Sequence, residues 1–257
     1  MNFNINIKNN SIQVSHITVN LPDHNSNEFS IFQDFVPYFG CETNYDAEVK
    51  IKKKAKEHNL KVSFDSEADN IGIYTKNPEK MFSLILLINE LASEKYKIIF
   101  TLEEEEQLKS ALNKWKRPKK QRWKEGDIFS IKLSNGSYAY AQIAEKYEGV
   151  QPVCVLFEGT YDELPELQNL LTKKIIALLS IVGYGLNDFT YKVIYSTTPV
   201  IKVPVPRKRD SVRYITYDDS TLIELAESFA GIKEWESNLD SMVIKDNLVP
   251  WLKASKI

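Results

Sequence analysis

The stretch WKEGDIFSIKLSNGSYAYAQIA, residues 123–144, decides how the chain folds. Phe129, Ile131 and Leu133 alternate with polar neighbours, the period of a strand with one buried face. Asn135-Gly136 is the signal of a type I′ turn, because glycine accepts the positive φ such a turn demands. Tyr138 to Ala144 returns, with tyrosines on one face and Ala139, Ala141 and Ile143 on the other. The apolar run Val153 to Phe157 reads as a third, buried strand. Three strands so closely spaced predict a small, strongly bent hairpin sheet that opens a domain.

Downstream, Thr160 and Glu163 have the spacing of a helix cap, with Leu164, Leu167 and Leu171 on the inner face. Phe189 to Tyr195 and Val212 to Tyr217 read as strands, divided by Pro199, Pro204 and Pro206. Thr221 to Ala230 reads as a helix carrying Leu222, Leu225, Ala226 and Phe229, ended by Gly231. The tail from Ile232 to Ile257, with Trp235 and Trp251, is expected to fold back on this domain.

Upstream, Phe3, Ile5 and Ile7 alternate with asparagines, Asn9-Asn10 marks a turn, and Ile12 to Val19 returns. Glu28 to Phe39 is open between strand and helix: its aromatics recur at helical spacing, but Pro37 would end a helix early. Ala47 to His58 reads as a helix, with Ala47, Ile51 and Ala55 on one face. Leu60 to Phe64 and Ile71 to Tyr74 are strands joined by a polar turn. Asn77, Pro78 and Glu79 start a helix with a stripe of Met81, Leu84, Ile85, Ile88 and Leu91. Thr101 and Glu104 form a capping box for a further helix, with Leu108, Leu112 and Trp115 inward. Lys114 to Lys124 then holds seven basic residues, no acidic one and Pro118, the composition of a linker. The expected class is α+β, with two small domains, each a mainly antiparallel sheet with helices packed on it. Their expected bounds are 1–113 and 125–257, with the basic linker at 114–124.

At 257 residues, 43% hydrophobic and 26% charged, the chain can bury two real cores. A net charge of −2 gives no global electrostatic case for nucleic acid or membrane. The longest apolar runs, Phe82 to Ile88 and Ile175 to Val182, are too short to span a bilayer. The N-terminus lacks the apolar core of a signal peptide, which favours a cytoplasmic location, although a signal-free export route stays open. Cys41 and Cys154 read as reduced thiols, and two cysteines alone cannot close a zinc site.

No catalytic, cofactor-binding or metal-binding residues are expected. His16, His24 and His58 show no recognisable spacing, and no zinc-protease, nucleophile-elbow or phosphate-loop motif occurs. Gly183-Tyr184-Gly185 lacks the third glycine of a dinucleotide fingerprint. Asp46, Glu48 and Lys50 have the order of a magnesium-nuclease motif, but residues two apart on a helix do not face each other. Trp115 and Trp123 flank the basic stretch as in single-strand binding sites, and Arg207, Lys208 and Arg209 form a second basic knot. Both tryptophans also fit a packing role, and acidic residues elsewhere balance the charge.

The run Gly126-Asp127-Ile128-Phe129-Ser130-Ile131, followed by Gly136-Ser137-Tyr138 and a return strand of small residues, resembles the opening of the immunity protein 26 family. That resemblance covers roughly residues 116–257 and is clearest before residue 160. The first half resembles the immunity protein 51 family through Phe39-Gly40, Asn44-Tyr45-Asp46 and Phe64-Asp65-Ser66-Glu67-Ala68. It departs from that pattern at Thr43, Asn44 and Ala47. Both resemblances imply a bacterial immunity protein that neutralises a toxin by stoichiometric binding, with no catalytic residue to carry over. A nuclease toxin has a basic cleft, so acidic groups should face it. The acidic candidates are Glu103, Glu104, Glu105, Glu106, Asp162, Glu163, Glu166, Asp218 and Asp219. The alternative is a non-catalytic regulatory module for nucleic acid or a small ligand, marked by an exposed stripe of Tyr138, Tyr140, Lys132 and Arg213.

Overall fold

The computed structural model describes residues 6–8, 10–147, 151–202 and 216–241. The chain divides into two compact units, residues 1–119 and 120–257. Each holds a six-stranded, mainly antiparallel sheet with helices packed on it, the α+β class that the sequence predicts.

In the first unit, β1 (Asn6–Lys8), β2 (Ser11–Val14), β3 (Ile17–Asn20) and β4 (Phe29–Gln33) form a meander. Strands β5 (Ser63–Ser66) and β6 (Ile71–Thr75) complete the order β1-β2-β3-β4-β6-β5. Phe3, Ile5 and Asn9 of the expected first hairpin lie outside the described residues. Ile12, Val14, Ile17, Val19, Ile31 and Ile73 are fully buried on one face. Gln13, Thr18 and Asn20 alternate with them on the other. The ambiguous stretch resolves into both elements: β4, then a single helical turn α1 (Val36–Phe39) that takes Pro37 in its first turn.

Three helices cover the apolar face. Helix α2 (Asn44–Glu57) starts three residues before Ala47, because Thr43 and Asp46 form a capping box. The Thr43 hydroxyl accepts from Asp46 N–H at 3.1 Å, and the Asp46 carboxylate accepts from Thr43 N–H at 3.1 Å. The helix closes with Asn59 left-handed (φ 53°) and Leu60 N–H bonded to Ala55. The strand expected from Leu60 therefore begins only at Ser63. Helices α3 (Pro78–Leu91) and α4 (Leu102–Lys114) carry the expected caps at Asn77 and Thr101. Their buried stripes are Met81, Leu84, Ile85 and Ile88, and Leu108 with Leu112.

In the second unit, β7 (Asp127–Lys132), β8 (Tyr138–Tyr147) and β9 (Gln151–Phe157) are the three strands read from the sequence. The turn between β7 and β8 is not type I′. Gly136 has φ 89°, but Asn135 keeps a negative φ. Leu133 N–H bonds to Ser137 O at 2.9 Å, so the loop holds three residues, with glycine in the left-handed place. Asn135 contributes its side chain instead, accepting from the Ser137 N–H and hydroxyl at 3.0 and 2.7 Å.

The apolar run from Ile175 is strand β10 (Ile175–Ile181). With β11 (Lys192–Ser196) and β12 (Thr216–Tyr217) the sheet order is β11-β7-β8-β9-β10-β12, and only β10 and β12 run parallel. Register shifts occur in β8, β10 and β11, and a bulge bends the strand that carries it. Both faces of this sheet are buried. Phe129, Ile131, Ala141, Ile143, Cys154 and Leu156 pack with Leu222 and Leu225 of α7 (Ser220–Phe229). On the other face, Ile128, Tyr140, Val153, Val155 and Phe157 pack with Leu170 of α5 (Leu167–Leu171) and Ile201.

The helix expected from Thr160 is shorter than its spacing suggested. Pro165 disfavours helical backbone at Leu164, and α5 begins only at Leu167. Leu164 is exposed. The basic stretch is no free tether. Trp115 Nε1 donates to Pro22 O at 2.8 Å, and Arg117 donates to the carbonyls of Asp23 and His24. Gln121 bonds to the main chain of Leu186, Tyr191 and Val193. A 3-10 turn, Ser237–Ser241, buries Leu239. Residues 212–215 of the expected strand, Pro204, Pro206, Arg207, Lys208, Arg209 and Trp251 lie outside the described residues.

Candidate partner-binding surface

The polar side chains with chemical potential are mostly engaged in holding the backbone. Asp46 closes the α2 cap, and Glu48 pairs with Lys52 one turn on. The magnesium-nuclease order of Asp46, Glu48 and Lys50 thus forms no joint site. Gly183 and Gly185 flank the start of the short helix α6 (Tyr184–Asn187). Their N–H groups point at an anion, as in phosphate loops, but the anion is the chain's own. The Asp219 carboxylate accepts from Gly183 N at 2.7 Å and from Gly185 N at 2.5 Å. The buried amides act likewise. Asn89 pairs with both main-chain groups of Ile98 at 2.8 Å, and Gln142 bonds Gly126 O, Thr198 O and Val200 N.

Among the described residues, three side chains have buried polar atoms without a hydrogen-bond partner: His16, Glu145 and the Tyr161 hydroxyl. Both ring nitrogens of His16 are buried without a hydrogen bond, and the ring stacks on Tyr38 at 4.7 Å. Burial pushes its pKa below the ordinary value, against a smaller upward pull from the Tyr96 backbone. Glu145 Oε2 is also unpartnered, and burial with the neighbouring Glu125 carboxylate raises its pKa. Glu125 itself accepts from Lys146 N–H at 3.1 Å. Cys41 and Cys154 are free thiols. Among the described residues, no group of three or more His, Cys, Asp or Glu could hold a metal ion. No helix among them is long and apolar enough to cross a membrane.

The acidic candidates fall in both units and do different things. Glu103 and Glu106 are exposed, and Glu104 and Glu105 half-buried, in the first turns of α4. Glu104 is committed to the cap, accepting from Thr101 N–H at 2.7 Å. Glu103 and Glu106 line a shallow groove with Gln107, Ser110, Ala111 and Lys114. Asp162, Glu163 and Glu166 are exposed on the loop before α5, and Asp218 is exposed before α7. Asp219 is removed from that set, because its carboxylate is turned onto the Gly183–Gly185 backbone.

Sequence reading missed what lies beside the α4 acids. Ile99 is 93% exposed and Leu102 85% exposed, next to Glu103. Leu102 falls outside the Leu108–Leu112 stripe, and that mismatch of register is the signal that could have found it. The stripe expected of a nucleic-acid or small-ligand module loses Tyr140. Tyr140 is 2% exposed, lost in the core, while Lys132 points to solvent and Arg213 lies outside the described residues. No family model, curated protein or solved structure matches the chain.

Proposed function

We propose that the chain is a bacterial immunity protein that binds a cognate toxin domain stoichiometrically and without catalysis, acting in the cytoplasm on a nuclease-type toxin with a basic cleft. The observation that carries this is the start of α4: two almost fully exposed aliphatic side chains, Ile99 and Leu102, beside the exposed carboxylates of Glu103, which accepts from the Gln107 amide at 3.4 Å, and Glu106. Two exposed aliphatic side chains that adjoin exposed carboxylates suit a surface that a charged partner covers. Aliphatic anchors supply affinity there, and the carboxylates steer a basic partner and set its orientation. The resemblance of residues 123–144 to the immunity protein 26 opening supports the same reading.

The neighbouring reading frames are searched for a secreted protein with a C-terminal nuclease domain, and pull-down of that domain, with the nuclease assayed alone and with one equivalent of this chain, tests it. One-to-one capture with loss of cleavage is expected. Glu103→Lys with Glu106→Lys should slow association by about tenfold and flatten its salt dependence. A toxin captured equally well by that variant removes α4 from the interface, and no capture at all ends the reading.

A further inference from the structure

The second unit contains a cavity that the α4 surface does not explain. It measures about 150 Å³ and lies between the end of β9 and the end of α7. Ala139, Phe157, Ile176 and Ala226 form its buried part; Phe229, Ala230 and the exposed segment 158–160 form its rim. The hollow exists because alanines stand at 139, 226 and 230, where larger side chains would fill it. Its volume decides what it can hold. Drug-sized ligands and cofactors need about 300–1,000 Å³, whereas an apolar cavity of about 150 Å³ takes a benzene-sized group. One aromatic or branched aliphatic side chain fits; a nucleotide does not.

The surroundings set the sign of the partner. From residue 157 to 166 there are four carboxylates (Glu158, Asp162, Glu163, Glu166) and no lysine or arginine. The helix forming the other wall and its sequel, residues 218–241, carry seven carboxylates against Lys233 alone, two of them, Asp219 and Glu227, bonded to main-chain N–H groups. Lys233 is already paired with Glu236 at 3.4 Å and Glu224 at 3.9 Å. Lys173, over the Tyr161 ring, and the exposed Lys174, whose carbonyl accepts from Glu158 N–H at 2.8 Å, are the cations that adjoin this stretch and leave the carboxylates in excess. Phe229 is 41% exposed and held edge-on by Trp235, with centroids 5.1 Å apart, a rigid aromatic lip at the mouth.

We infer that this cavity is a docking site for a polypeptide that inserts one large apolar side chain, flanked by lysines or arginines. The site is independent of the α4 surface, and each can fail without the other.

The full chain is titrated against fluorescein-labelled Lys-Lys-Gly-Phe-Gly-Lys-Lys, read by anisotropy at physiological ionic strength. Two control peptides replace the phenylalanine by serine or every lysine by glutamate. Saturable binding is expected for the first peptide and at least tenfold weaker binding for both controls. Ala230→Leu, at an exposed position on the rim, should fill the mouth and weaken binding at least tenfold while the thermal midpoint stays put. Glu158→Lys should weaken it too, and Glu103→Lys with Glu106→Lys should leave it unchanged. Equal binding of the phenylalanine and serine peptides, or undiminished binding by Ala230→Leu, overturns the inference. So does a concentration-dependent dimer that Ala230→Leu dissolves, since a second copy would then be the occupant.

Discussion

At the scale of single residues, the buried polar side chains set much of the chain's stability. Gln142 is fully buried, and its amide makes three bonds to the main chain around residues 126 and 198–200. Gln142→Leu strands the Thr198 carbonyl and the Val200 N–H, while the Gly126 carbonyl keeps its bond from Thr197 N–H. Each buried polar group left unpaired costs about 1–3 kcal/mol. The variant should lose about 3 kcal/mol in urea unfolding, and a loss under about 1 kcal/mol would mean that water replaces the amide. His16 gives a pH dependence whose sign follows from its environment. Its folded pKa lies below the ordinary 6.5, so between those values the unfolded chain binds a proton that the folded chain refuses. Stability is therefore full above about pH 6.5 and falls as the pH drops through the window beneath it. The urea midpoint of the wild type should fall more between pH 7 and pH 5 than that of His16→Phe, and parallel losses would remove His16 as the cause. Asp219 shows why such roles escape sequence reading. It looks like a surface acid beside Asp218, but its donors come from more than thirty residues away.

At the scale of elements, what was legible was local. The caps at Asn77 and Thr101 are legible because the cap, the N–H groups that donate to it and the first apolar residue lie within one turn. Strand β10 escaped because burial on both faces erases alternation, leaving an apolar run with no period to read. The α5 helix was overextended because the cap spacing at Thr160 and Glu163 was weighed without Pro165 between it and the leucines. The entry to β7 has a severe requirement for glycine. Gly126 has φ 85°, and a Cβ there would lie 1.7 Å from Thr197 O. The same N–H and C=O join Ile143 and Thr197 across the sheet, at 2.8 and 3.1 Å. Gly126→Ala should therefore strip the second unit of protection in hydrogen exchange while leaving first-unit amides such as that of Ile31 protected. Uniform protection in the variant would show that the backbone absorbs the clash.

At the scale of the whole molecule, the boundary between the units separates two ways of reading the basic stretch. Composition placed a linker at 114–124. The side chains divide it: Trp115 and Arg117 bond to Pro22, Asp23 and His24 of the first unit, whereas Gln121 and Trp123 bond within the second. The division between the units, at 119/120, falls inside the basic stretch, and the side chains on either side of it are bonded to their own unit. Each unit has its own apolar core, the first built on one sheet face and the second on two. Fragments 1–119 and 120–257 should each unfold cooperatively, and 1–119 alone should keep the toxin-binding surface proposed on α4. Cutting instead at 113 removes the half-buried Trp115 and its indole bond to Pro22. Fully burying a large apolar side chain contributes about 1.5–3 kcal/mol, so with Trp115 half-buried fragment 1–113 should be less stable than 1–119 in urea by about 1 kcal/mol. Equal stability of the two fragments would return residues 114–119 to the role of tether and leave the bonds of Trp115 and Arg117 without energetic weight.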